Sequence, residues 1–192
     1  MLVRSILIIV HTKVRKAEKQ FRDVVNRSTI QDELIKNPQK WNQLCASMDI
    51  IGDTDTAIVS YRQLEPSDDV GILYLTTYGL LQVLFVQQDA IRHAAEAVDF
   101  NYTFSQELRD IREVRNCAVG HPARRDRPRT ESFGIVRTSL SQQGFTLYSF
   151  DWSHATTRQN ISFPELIDRQ TEEVCHALAK MTGHLNDRFR FS

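Results

Sequence analysis

The chain has 192 residues, 41% hydrophobic and 25% charged, which suits one globular domain over residues 1–192 and excludes a disordered chain. Its 24 Lys and Arg balance 24 Asp and Glu, so no overall basic field advertises nucleic acid, and any such partner has to be met by a local patch. The three cysteines, Cys45, Cys117 and Cys175, are far apart and form no CxxC pair, which excludes a disulfide scaffold and points to a reducing, cytoplasmic compartment.

The opening run from Met1 to Val10 is apolar but short and has no small-residue cleavage site after it, so it reads as the start of a helix over 2–28 and not as a signal peptide. Asn37-Pro38 starts a second helix through Trp41, Leu44 and Met48. Gly52 and the Asp53-Thr54-Asp55 cluster are expected to break it, with a further piece running to about Leu64. A loop over 65–69 then offers Asp68 or Asp69 as the cap of the longest helical pattern, 70–99. Leu80, Leu84, Ile91, Ala95 and Val98 share one stripe of it, with Thr77, Gln87 and Gln88 in or beside the stripe. Its most apolar part, Gly71 to Val86, is too short and too polar for a membrane span and reads as a core helix, so no membrane partner is expected.

Ser105 is placed to cap a helix from Gln106 to Val119, with Gly120 as its C-terminal cap and Pro122 blocking continuation. Two alternating segments, Phe133 to Leu140 and Phe145 to Trp152, flank Ser141-Gln142-Gln143-Gly144 and predict a β-hairpin over about 132–152. Ser162, Pro164 and Glu165 open a last helix through Ile167, Val174, Leu178, Met181 and Leu185. The expected fold is all-α, an antiparallel helical bundle with a small β-hairpin inserted before the last helix.

One residue breaks the amphipathic pattern. At about 100° per residue Leu108, Ile111, Ala118 and Val119 share a face, and Arg115 falls inside it. An unpaired buried guanidinium is costly, so Arg115 is either paired across the bundle, for instance to Asp89, or open to a cleft that admits an anion. His121 follows just past the helix end. Arginine presents a planar fork of donors to phosphate oxygens, and histidine titrates near neutrality and can move a proton to or from a ribose hydroxyl or a leaving oxygen. The pair suits phosphodiester chemistry without a metal. Cys117 and His121 lie one turn apart, but nothing completes a four-ligand set, so no metal or other cofactor is expected.

The segment Arg115-Asn116-Cys117-Ala118-Val119-Gly120-His121 resembles the motif of the HEPN superfamily, helical-bundle proteins of toxin, abortive-infection and RNA-processing systems. In that family an arginine, often with a polar neighbour after it, is followed by a histidine at a helix end, with four to six residues between the two. Arg115, Asn116 and His121 match these places. The stretch from Tyr78 to Ala90 also resembles the preceding bundle helix of some members, whereas Ala123 stands where one toxin branch has tyrosine.

The resemblance implies a metal-independent endoribonuclease whose site forms where two protomers bring their motifs together, hence a homodimer with RNA as substrate and a cognate antitoxin protein as a possible partner. It also admits a non-catalytic module that binds RNA, a nucleotide or a protein through the same cleft. Arg124, Arg125, Arg127 and Arg129 follow His121 and are expected to meet the RNA backbone, while Gln87 or Gln88 is a candidate to orient Arg115.

Overall fold

Polar caps start the long helices. In the computed structural model, which describes residues 12–120, 132–151 and 154–190, α1 (Lys13–Val25) opens with the Thr12 hydroxyl accepting from the Arg15 amide. The short α2 (Ser28–Leu34) follows. Asn37 accepts from the Lys40 amide at the head of α3 (Pro38–Arg62), where Pro38 fills a position whose N–H has no helical partner. Asp69 accepts from the Gly71 and Ile72 amides to start α4 (Val70–Ala97), Ser105 from Leu108 to start α5 (Gln106–Arg115), and Ser162 from Glu165 to start α6 (Phe163–Arg188).

The long helices enclose two adjoining apolar clusters. One gathers Phe21, Ile51, Ile91, Leu178 and Met181, and the other Leu81, Leu84, Leu108, Ile111 and Phe163, all at most 1% exposed. Helix α4 runs antiparallel to α3, with Gln43 bonded to the His93 carbonyl. It runs parallel to α6, where Gln88 meets Gln170 and the Val98 carbonyl meets His184. The bundle is therefore mixed, because α5 and the sheet carry the chain back to the start of α4 before α6 begins.

Three expectations are corrected. Gly52 and the Asp53-Thr54-Asp55 cluster do not break α3: the Thr54 hydroxyl folds back on the Ile50 carbonyl at 2.7 Å, and Asp55 accepts from Thr12 at 2.6 Å. A Cβ at Gly52 would meet only the mobile end of the exposed Arg15 side chain, at 2.7 Å from Nη1. The helix predicted over 2–28 ends at Val25 among the described residues, and Ser28 begins α2; residues 1–11 lie outside them.

The hairpin is, thirdly, a three-stranded antiparallel sheet of β1 (Ser132–Ile135), β2 (Gly144–Asp151) and β3 (His154–Ser162), in that order. Residues Arg137–Ser139 form a 3-10 turn and not the end of a strand. Gly144 has φ 151, and a Cβ there would stand 1.9 Å from the Ile161 carbonyl oxygen, so the turn into β2 admits no other residue without rearrangement.

The sheet is tied to the bundle by its turn and its inner face. Tyr61 donates to the Gln142 carbonyl at 2.9 Å, and its phenol is pushed up to about 12 by burial. Phe145, Leu147 and Ile161 are buried against the cluster around Phe163. By length and hydropathy α4 is apolar enough to cross a membrane, yet Leu80, Leu81, Leu84 and Ile91 along it are core residues.

Candidate active site

Helix α5 buries Leu108, Ile111 and Val114 and hands over to a π-helical turn, Asn116–Gly120, that buries Cys117 and Ala118. A π turn widens the helix by one residue and is often found at functional positions. Here it replaces the expected C-terminal cap: Gly120 is not in the left-handed region, and its lack of a side chain serves another end. A Cβ on Gly120 would stand 2.9 Å from Arg115 Nη1 and 3.6 Å from Asn116 Oδ1. The motif glycine thus leaves room for the motif arginine.

Arg115 is half-buried, and every described group that it is bonded to is neutral. Its Nε and Nη2 donate to Gln82 Oε1 at 3.2 and 2.8 Å, and Nη1 donates to Asn116 Oδ1 at 3.1 Å. The guanidinium carbon lies 4.3 Å from the centre of the Phe85 ring. Among the described residues no carboxylate stands within ion-pair distance of it. The guanidinium is held on two sides by amides and on a third by a π face, so its position is fixed while its charge stays uncompensated.

Arg112, one turn earlier, shows the contrasting arrangement on the same ring. Its guanidinium lies 3.9 Å from the Phe85 centre and donates to Asp89 at 3.0 Å. Asp89, the carboxylate considered for Arg115, is therefore engaged by Arg112, with Arg92 at 3.7 Å on its other side.

Gln87 and Gln88 do not reach Arg115. Both are 0% exposed and face α6, where Gln88 donates to Gln170 at 2.8 Å and Gln170 donates to Gln87 at 3.0 Å and to the Leu84 carbonyl at 2.9 Å. They belong to a core amide cluster, and the glutamine that orients Arg115 is Gln82. Its signal in the sequence is its phase: Gln82 lies on the stripe of Ile72, Leu75, Gly79 and Phe85, off the core stripe that Gln87 and Gln88 share. Arg115 and Asn116 are sequence neighbours joined by a hydrogen bond, while His121, Arg124, Arg125, Arg127 and Arg129 lie outside the described residues.

A cavity of about 380 Å³ opens on another side of α5, lined by Glu113, Val114, Cys117, Phe133 and Arg169 among others but not by Arg115. Cys117 is buried at its edge, with its sulfur 3.6 Å from Glu113 Oε1. Comparison of the chain with protein-family models, with curated proteins and with solved structures found no match, so the site is read from its own geometry.

Proposed function

We propose that this protein is a cytoplasmic, metal-independent endoribonuclease of HEPN type that acts as a homodimer in a toxin–antitoxin or antiphage setting. The observation that carries the reading is Arg115: a half-buried guanidinium fixed by Gln82, Asn116 and Phe85, with no counter-charge among the described residues, at the start of the Arg115-Asn116-x4-His121 motif. A fixed, uncompensated cation of this kind favours a phosphate whose charge grows in the transition state.

In the proposed reaction His121 takes the proton of a ribose 2′-hydroxyl, and the freed oxygen attacks the adjacent phosphorus. Arg115 holds the non-bridging oxygens as negative charge builds on them. The bond to the 5′ oxygen breaks and that oxygen is protonated, in a composite site by His121 of the partner subunit. The products are a 2′,3′-cyclic phosphate and a 5′-hydroxyl, and no electrons change hands.

The dimer is supported by the outer stripe of α4. Ile72 is 47% exposed, Leu75 69% and Tyr78 39%, and the stripe continues into Gln82 and Phe85, the residues that hold Arg115. An isologous contact here brings two motifs together. Gly79 lies on this stripe, and an added Cβ meets nothing in the single chain. Gly79→Arg is thus expected to leave the fold intact and yield monomers at micromolar concentration; an unchanged dimer counts against this interface.

The activity itself is tested with purified protein and mixed RNA in excess chelator. Cleavage leaving cyclic phosphate ends, abolished by His121→Ala, is the expected result. RNA or nucleotide binding without turnover assigns the cleft instead to a non-catalytic binding module.

A further inference from the structure

The outward face of the sheet carries aromatic rings among polar side chains. Along β2, Phe145 and Leu147 are buried, so Thr146, Tyr148 and Phe150 occupy the opposite face. Thr146 Oγ1 donates to Asn160 Oδ1 at 2.9 Å, which puts the facing residues of β3 on that side as well. In the register Tyr148 stands opposite Gly134 on β1 and opposite Arg158 on β3. Tyr148 is 36% exposed and Phe150 41%.

Gly134 explains how the tyrosine is held. A Cβ at Gly134 would stand 2.4 Å from Tyr148 Oη and 2.5 Å from its Cζ, so the ring lies down across β1 instead of standing away from the sheet. Glycine inside a strand is destabilising by roughly 0.5–1 kcal/mol and often marks a close approach. Here the approach is by an aromatic ring that leaves its other face to solvent. Phe150 follows two residues on, about 7 Å along the strand and on the same face.

Resting on the ribonuclease reading above, we infer that the outward face of β1–β3 is a stacking platform for single-stranded RNA, with a base on Tyr148 and a backbone phosphate at Arg158. Three observations select this occupant. Arg158 is exposed and cationic, and its described neighbours on this face, Thr146, Asn160 and Ser132, are uncharged, which suits a polyanion. The rings are interrupted by polar side chains, so the face is not the continuous apolar patch that a protein partner buries. β1 also packs against the π turn that follows Arg115, and the chain between the two holds His121 and the four arginines. A strand lying on the platform is thereby led toward the motif. Base stacking on rings is tolerant of sequence, so the platform holds unpaired RNA without selecting bases.

The test uses the full chain with His121→Ala, to stop turnover, and a single-stranded RNA oligonucleotide containing 2-aminopurine, with its duplex as control. The expected result is fluorescence quenching on binding and a loss of single-strand affinity of roughly 5- to 100-fold in Tyr148→Ala. Tyr148→Trp keeps the affinity, because it keeps the stack. Duplex affinity stays unchanged. Gly134→Ala lifts the ring and lowers affinity with Tyr148 in place. If Tyr148→Ala does not fold, Arg158→Ala decides the matter.

Parent-like single-strand binding by these variants overturns the platform, as does a Tyr148→Ala chain that loses dimerisation and not RNA. RNA held through Tyr148 but never cut by the parent chain keeps the platform and removes the ribonuclease reading. RNA cut by the parent chain with no dependence on Tyr148 does the reverse. Absence of RNA binding removes both.

Discussion

The two places where α4 meets arginines treat charge in opposite ways. At its C-terminal end Asp99 receives Lys40 and Arg188, and the hydrogen bond from Lys40, then that from Arg188, holds its carboxyl below the usual aspartate range. This closure is kept at a conformational cost. Asp99 has φ 58, a left-handed geometry that costs a non-glycine residue about 1–2 kcal/mol, while the Phe100 amide bonds to the Ala95 carbonyl at 2.9 Å to finish the helix. Midway along α4, Arg112 likewise has Asp89. Arg115, sharing the Phe85 ring with Arg112, has, among the described residues, the amides of Gln82 and Asn116. On one ring, then, Arg112 is given a carboxylate and Arg115 is given amides.

The comparison predicts how the arginines divide between activity and stability. Arg115→Ala and His121→Ala are each expected to lower RNA turnover by about 100-fold or more, and the double variant is expected to lose little beyond either, since the two act as a unit. A double-mutant cycle on single-turnover rates checks this, and losses that simply multiply would break the account.

Arg112→Ala is expected to act on the fold instead. Its half-buried pair with Asp89 lies between the surface and interior cases, so a loss of about 1–2 kcal/mol is expected in urea unfolding. If the turnover loss in Arg112→Ala matched that of Arg115→Ala, the contrast between the two arginines would disappear.

The smallest effect concerns Asp99 and pH. A carboxyl whose folded value is depressed contributes stability above its unfolded value, about 3.9 for aspartate, and loses it as pH falls through the folded value. The excess stability of the parent over Asp99→Asn should therefore be constant near neutrality, begin to fall as the pH approaches about 4, and vanish only below the depressed folded value. Unfolding midpoints of the two chains across the acid range measure it, and a difference that persists in acid would assign the effect to backbone geometry and not to charge.

What could be read from the sequence was local. The caps Asp69, Ser105 and Ser162 act within three residues of themselves, so their side chains announce the helix starts. Gly52 misleads because a glycine weakens a helix only modestly, and α3 is held on both sides of it by the burial of Met48, Ile51 and Ile58 against other elements. β3 was not legible because Thr156 to Asn160 are exposed on both faces and only Ile161 is buried, which erases the alternation that marks a strand. For the site, helical phase identifies Arg115 as an inward-facing cation, yet its partner is 33 residues back on α4. Gln87 and Gln88 shared the core stripe and drew attention, but that placement is what turns them toward Gln170. Gln82 lay one face away.

Gln82→Glu tests the central claim most directly, because it changes one neutral acceptor of Arg115 into a carboxylate of nearly the same shape. RNA turnover in chelator would be measured on this variant beside its urea unfolding curve. An Arg115 reserved for phosphate predicts turnover reduced by about tenfold or more, with stability unchanged or raised by the new ion pair. Turnover equal to that of the parent would contradict it, and would make Arg115 a structural arginine that happens to rest on an amide.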